Sequence, residues 1–223
     1  MFFKKSRNIN LDMITGYDHI KKNKMDNFTF LNEKYSKKGQ VVLFGDSITE
    51  IFNSYELFYE YSQKNNLAVY NRGISGDTSD RLLERLHCNA LNIEPSKIVI
   101  LIGTNDFRPG LNLDFTTDNI DKILSEIENT LPTCQIILEA VYPVNKNMSS
   151  ASRAMVGGRK NNTIKELNKL IKAVANNHNC TFIDLWDVLI DKKGNLREDY
   201  CYDGLHLNAK GFEAVTNELL KVL

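Results

Sequence analysis

Ser47, Asp203 and His206 are the side chains whose types and order suit nucleophilic acyl chemistry. A serine hydroxyl is a poor nucleophile until a base takes its proton. Histidine can be that base near neutral pH, and it works best when a carboxylate holds its second nitrogen. Asp203 lies three residues before His206, a spacing that a turn can close so that carboxylate meets ring. A carbonyl attacked by Ser47 would gather negative charge on its oxygen. Gly73, lacking a side chain, could offer its backbone N–H to that oxygen at close approach; Asn105 could offer its side-chain NH₂, and Ser47 its own N–H. Each preorganised donor of this kind is worth about 10²–10³ in rate. The residues alone leave open a second reading of Ser47, as the cap of the helix that follows it.

These positions are far apart in sequence, so the fold must gather them. Residues 41–44, VVLF, read as a buried strand that ends at Gly45, with Ser47 on the turn beyond. A second short strand at 68–70 runs into a turn containing Asn71, Gly73 and Gly76. The strongest strand is KIVILI, 97–102; apolar on both faces, it belongs at the sheet centre and ends in GTNDF, followed by a loop with Pro109 and Gly110. Strands at 134–141 and 181–185 complete a set of five. Helical spacing marks 55–66, a segment carrying Leu82, Leu83 and Leu86 capped by Asp77 or Thr78, the run Ile120 to Leu131, residues 161–179, and a last helix with Phe212, Val215 and Leu219. Alternating strands and helices predict a parallel sheet covered on both faces, with ligands beyond the carboxyl ends of its strands. Residues 142–160 read as a mobile loop beside those ends, and 186–202 as an acidic, irregular connection with Trp186 as a packing residue. Residues 1–39 read as an N-terminal helical arm, with Met25, Phe28, Leu31 and Tyr35 on one face, and 40–223 as the main domain.

Composition narrows the function classes. Lysine plus arginine balances aspartate plus glutamate at 28 each in 223 residues, which argues against a nucleic-acid binder. The four cysteines form no CxxC pair, so a zinc or dithiol site is not expected, and Cys134 reads as a buried reduced thiol. Asp184, Asp187, Asp191 and Asp199 lack the spacing of a calcium loop, and His19, His87 and His178 have no ligand partners nearby in sequence. Asp46 and Asp106 read as acceptors for nearby turn amides. No cofactor or metal is expected. The sequence shows no apolar leader and no run long enough to span a membrane, so a cytoplasmic protein without stable membrane insertion is expected. Homo-oligomerisation is left open.

Four blocks, GDSIT at 45–49, NRGISGD at 71–77, GTND at 103–106 and DGLH at 203–206, resemble in order and spacing the consensus blocks of the SGNH hydrolases, also called GDSL-type esterases and lipases. The resemblance covers residues 41 to about 220. It implies a flavodoxin-like, three-layer α/β/α fold with a five-stranded parallel sheet. It implies Ser47 as nucleophile, Gly73 and Asn105 as oxyanion-hole donors, His206 as base and Asp203 as its orienting acid. The expected activity is that of a serine esterase acting on small acyl esters through an acyl-enzyme, with an acetyl group on a sugar as the favoured substrate. Three rivals remain: a lysophospholipase or thioesterase with the same machinery, a non-enzymatic flavodoxin-like phosphate-binding module, and a structural or assembly protein that kept the fold and lost activity. The second lacks any GxGxxG or GxxxxGK[ST] motif.

Overall fold

The computed structural model describes residues 3–107 and 113–223, with side chains from residue 18 onward. The loop expected around Pro109 and Gly110 lies outside the described residues. Helix α1 (Phe3–Lys34) leads into strand β1 (Val41–Gly45), the short helices α2 (Ser47–Glu50), α3 (Ser54–Leu57) and α4 (Tyr59–Asn65), and strand β2 (Val69–Asn71). Helices α5 (Ser79–Glu84) and α6 (Leu86–Asn89) precede β3 (Lys97–Leu101), α7 (Leu113–Thr130) and β4 (Gln135–Glu139). Then follow α8 (Ser150–Val156), α9 (Asn161–Ala175), β5 (Cys180–Ile183), α10 (Trp186–Leu189) and α11 (Ala209–Leu219).

The five strands pair in parallel in the order β2-β1-β3-β4-β5. This is the flavodoxin-like order, whose ligand crevice opens where the winding reverses, beyond the carboxyl ends of β1 and β3. Successive residues of a strand point to opposite faces, and both faces here are apolar. Val42, Phe44, Ile98, Ile100, Ile136 and Leu138 pack with Leu82, Leu86, Ile123 and Leu167 of the helices on one side. Leu43, Val99, Leu101 and Ile137 pack with Ile48, Phe58, Leu189, Phe212 and Val215 on the other. The continuous apolar runs of β1 and β3 are thus the signature of a sheet sandwiched between two helical layers.

Three segments differ from their sequence reading. Residues 142–160 are not irregular throughout, since 150–156 are helical. Tyr142, Val144 and Asn145 are buried, and α8 follows, capped by Ser149, whose Oγ accepts from the Ser152 amide at 3.0 Å. Its inward residues, Ser152 and Val156, span a single turn, too short to register as a period. The predicted 55–66 helix breaks at Phe58 (φ −102°, ψ 11°), which buries its ring against Phe52. Helix α1 packs against α6 and the 3-10 turn Leu91–Ile93, but its most buried described side chains are polar. Lys21 and Asn32 are buried, whereas Met25, Phe28 and Leu31 are half-buried and Tyr35 is exposed. Trp186 packs in the core with the Lys165 ammonium 4.9 Å above its ring.

Candidate active site

Burial of β1 delivers the chain to the crevice, and the turn after Gly45 sets Ser47. Asp46 is the residue that caps α2: its Oδ1 accepts from the Ile48 amide at 2.9 Å. Ser47 is therefore relieved of the capping role and takes the first helical position, where a backbone N–H has no intrahelical acceptor. Its Oγ lies 2.9 Å from His206 Nε2.

His206 reaches Ser47 from a loop closed at its base by the antiparallel bridge between Cys201 and Leu207. The Tyr202 amide donates to His206 O at 3.0 Å. Gly204 sits at φ +81°, where a Cβ would overlap the Asn145 carbonyl oxygen, while the Asn145 amide donates to Gly204 O at 2.7 Å. The segment after β4 thereby seats the loop. Asp203 Oδ1 accepts from the amides of Leu205 (3.0 Å) and His206 (2.8 Å), and Oδ2 lies 2.7 Å from His206 Nδ1. Burial pushes the Asp203 carboxyl up, but the His206 and Leu205 amides and the His206 ring outweigh it and hold the pKa below its ordinary value. An ionised carboxylate can only accept. The proton therefore sits on Nδ1, and the Nε2 lone pair faces the Ser47 hydroxyl. Serine, histidine and aspartate form one continuous relay.

Asn105 follows β3 and lies across the crevice. Its Nδ2 donates to Asp77 O at 3.0 Å and contacts Asp46 Oδ2 at 3.3 Å. Arg159 Nη2 donates to Asn105 Oδ1 at 3.0 Å, and Arg159 Nε donates to Thr104 O at 2.7 Å. A guanidinium has no acceptor atom, so it fixes which end of the amide is oxygen. Arg159 belongs to the ordered segment after α8 and carries no motif in the sequence.

The turn after β2 gives the amide of Gly73, expected as an oxyanion donor, a partner within the protein. Its N–H donates to Asn71 Oδ1 at 2.9 Å. Gly73 is required for a packing reason, because a Cβ there would overlap the Glu50 backbone nitrogen and lie 2.6 Å from Glu50 Cα. Along this turn Arg72 donates to Leu43 O, Ile74 to Gly45 O and Asp77 to Ile74 O, while Ser75 donates to Glu50 Oε2. Among the described residues, Gly76 is the amide from 72 to 77 with no acceptor, at φ +72°. The NRGISGD block does supply a candidate donor, three residues later than expected. The Gly73 amide is used locally, by Asn71 two residues before it, whereas the Ser75 amide is taken by the long-range partner Glu50.

Beneath the site lies a pair of buried acids. Burial raises the Asp46 pKa to about 7 against the opposing pull of the Ile48 amide. Glu139, at the end of β4, is likewise pushed up to about 7 by burial, with the Tyr142 hydroxyl donating to it at 2.5 Å. Glu139 and Tyr142 line the same small void as Ile48 and Thr49. A folded-state pKa above the unfolded value means that the fold retains a proton which the unfolded chain releases. The resulting stabilisation is complete below about pH 4.5 and is lost as pH rises toward 7. Glu139→Gln keeps an acceptor for Tyr142 and cannot ionise. Its melting temperature, relative to wild type, is expected to be higher at pH 8 than at pH 5, and a pH-independent difference would contradict the assignment.

The remaining candidates fall elsewhere. Asp106 caps α5, accepting from the Ser79 amide and hydroxyl. His178 pairs with Asp121 and Glu128, His87 with Glu126, and His19 contacts Asn23. The four cysteines are free, and burial lifts the Cys134 thiol to about 11. Among the described residues no three histidine, cysteine, aspartate or glutamate side chains gather as a metal site. No helix among them is long and apolar enough to cross a membrane.

The chain resembles known proteins along most of its length. The model of the GDSL-like Lipase/Acylhydrolase family matches residues 43–214. Platelet-activating factor acetylhydrolase IB subunit alpha1 of Bos taurus is 25% identical over 196 residues, covering 87% of this chain and 79% of the relative. A solved Streptococcus pneumonia structure, described as a candidate platelet activating factor, superposes with TM-score 0.88 at 26% identity, covering 97% of this chain and 98% of that one. A catalytic mutant of Axe2, an acetylxylan esterase from Geobacillus stearothermophilus, shares the fold with TM-score 0.67 at 19% identity, covering 84% and 95% of the two chains.

Proposed function

Given that this chain belongs to the GDSL-like lipase/acylhydrolase family and is a carboxylic ester hydrolase, we propose that Ser47, His206 and Asp203 are its catalytic triad and that its substrates are small acyl esters. The observation that carries this is the relay from Ser47 Oγ to His206 Nε2 (2.9 Å) and from His206 Nδ1 to Asp203 Oδ2 (2.7 Å). Ser47 Oγ attacks the ester carbonyl while its proton passes to His206 Nε2. Asp203 stabilises the imidazolium that forms. The carbonyl oxygen, now negative, accepts from the backbone N–H groups of Ser47 and Gly76 and from Asn105 Nδ2, which exchanges its long 3.3 Å contact with Asp46 Oδ2 for the oxyanion. When the tetrahedral adduct collapses, His206 returns the proton to the departing alkoxide, leaving an acyl group on Ser47. Water, deprotonated by His206, then repeats the sequence and frees the carboxylic acid.

A short acyl group, with an O-acetylated carbohydrate as the favoured substrate, is the finer part of the proposal. It draws support from relatives whose names refer to an acetylhydrolase and an acetylxylan esterase. Turnover of p-nitrophenyl acetate, butyrate and octanoate tests it. The expected kcat/KM falls with chain length, and a maximum at octanoate would reject the short-acyl reading in favour of a longer-chain lysophospholipase or thioesterase. Tight phosphate or nucleotide binding without turnover of any of the three would instead favour a binding module.

A further inference from the structure

Helix α1 lies outside residues 43–214, the span matched by the family model, yet two of its lysines reach the turn that carries the Gly76 N–H. Lys21 Nζ donates to Gly76 O at 2.8 Å and lies 3.3 Å from Asp77 Oδ1. Lys24 Nζ contacts Glu50 Oε1, and the other oxygen of that carboxylate accepts from the Ser75 amide at 2.6 Å. Residues three apart share a helix face, so one face of α1 delivers both cations. Lys21 is only 4% exposed. An ammonium is costly to bury unless it is paired and hydrogen-bonded, and these partners meet that need at one place, the Ser75–Asp77 turn.

Each peptide unit is a rigid plane. The Gly76 N–H belongs to the plane joining Ser75 to Gly76. The plane before it is held through the Ser75 N–H by Glu50, and the plane after it through the Gly76 C=O by Lys21. Gly76 itself, at φ +72°, has no Cβ to restrict its rotation; the Asp77 N–H to Ile74 O bond at 3.2 Å closes the turn from within, and the Glu50 and Lys21 holds fix the same two flanking planes from outside. We propose that α1 is a working part of the oxyanion site, with Lys21 and Lys24 as positioning residues that fix the direction of the Gly76 N–H. This rests on the esterase reading above and adds to it residues beyond the family-matched span.

The helix has a separate anchor. Asn32 Nδ2 donates to Cys88 O and Asn89 O, both at 3.1 Å, and Asn32 Oδ1 accepts from Arg72 Nε and Nη2. Loss of either lysine therefore leaves α1 docked. Asp77 also keeps Arg85 as partner at 2.6 Å in the absence of Lys21.

The test is p-nitrophenyl acetate hydrolysis by wild type, Ser47→Ala, Lys21→Met, Lys24→Gln and Lys24→Arg, with rates expressed per active serine titrated with a fluorophosphonate. Removing one oxyanion donor costs about 10²–10³ in kcat, and misaiming one is expected to cost roughly tenfold to a hundredfold. Lys21→Met and Lys24→Gln should lower kcat with KM little changed, and should weaken a boronic acid inhibitor in parallel, because its tetrahedral adduct uses the same donors. Lys24→Arg should restore both. A merely structural role would lower melting temperature but leave kcat per titrated serine intact. Should Lys21→Met fail to fold, Lys24→Gln, at a half-exposed position, decides the question alone. Wild-type turnover that needs Ser47 but survives unchanged in both lysine variants overturns this inference only. Absence of Ser47-dependent turnover in wild type overturns it together with the esterase reading.

Discussion

Ser47→Ala is expected to lower kcat for p-nitrophenyl acetate about 10⁶-fold while leaving the fold intact. The substitution removes one oxygen from a position that is 9% exposed. Asp46, the true cap of α2, is untouched. The loss comes from the nucleophile alone, so the oxyanion donors should still provide a residual rate about 10³–10⁴-fold above water. His206→Ala should fall by a similar factor, because an unactivated hydroxyl is nearly as useless as none. The double variant should be no worse than either single one, since residues that act as a unit do not contribute additively. Steady-state kinetics on the three proteins checks this. Multiplying losses, or a Ser47→Ala rate within tenfold of wild type, would show that serine and histidine do not work as one relay.

Gly73→Ala is expected to be severely damaging although it adds a single methyl. The added carbon would overlap the Glu50 backbone nitrogen and sit 2.6 Å from Glu50 Cα and 2.7 Å from Thr49 C. Backbone cannot rotate away as a side chain can, so either the turn or α2 must move. Overpacking in a tight site costs about 3 kcal/mol or more, which for a chain of this size is on the order of 10 °C in melting temperature. The movement would also displace Ser47 from His206, so activity should fall beyond what the unfolded fraction explains. Differential scanning calorimetry together with kinetics per folded molecule checks both parts. Wild-type stability in Gly73→Ala would mean that the turn does not pack against α2 as described.

Much of the scaffold was legible in the chain because burial on both faces leaves an unmistakable trace. The runs at 41–44 and 97–102 could only be doubly covered strands, and the glycines ending them marked the crevice. Asp203 and His206 were legible for a local reason: three residues of turn bring carboxylate to ring without help from elsewhere. What stayed hidden depends on distant partners. Glu50, 25 residues away, claims the Ser75 amide, which with the local Asn71–Gly73 bond leaves Gly76 as the candidate donor, and the Glu50 contact has no trace within NRGISGD. Arg159 orders Asn105 from across 54 residues of sequence. Among the side chains described from residue 18 onward, helix α1 buries Lys21 and Asn32 rather than an apolar stripe, so a search for hydrophobic periodicity there weighs the wrong residues. Helix α8 is a single capped stretch with two inward residues, below the length at which a period can be seen.

The central claim is that Ser47 is a nucleophile driven by His206. Incubation with a fluorophosphonate ester followed by intact-protein and peptide mass spectrometry tests it most directly, because the reagent captures an activated serine without any assumption about the natural substrate. One adduct per chain on Ser47, absent in Ser47→Ala and slowed by several orders of magnitude in His206→Ala, is the expected result. No adduct, an adduct on a different serine, or equally fast labelling of Ser47 without His206 would contradict it.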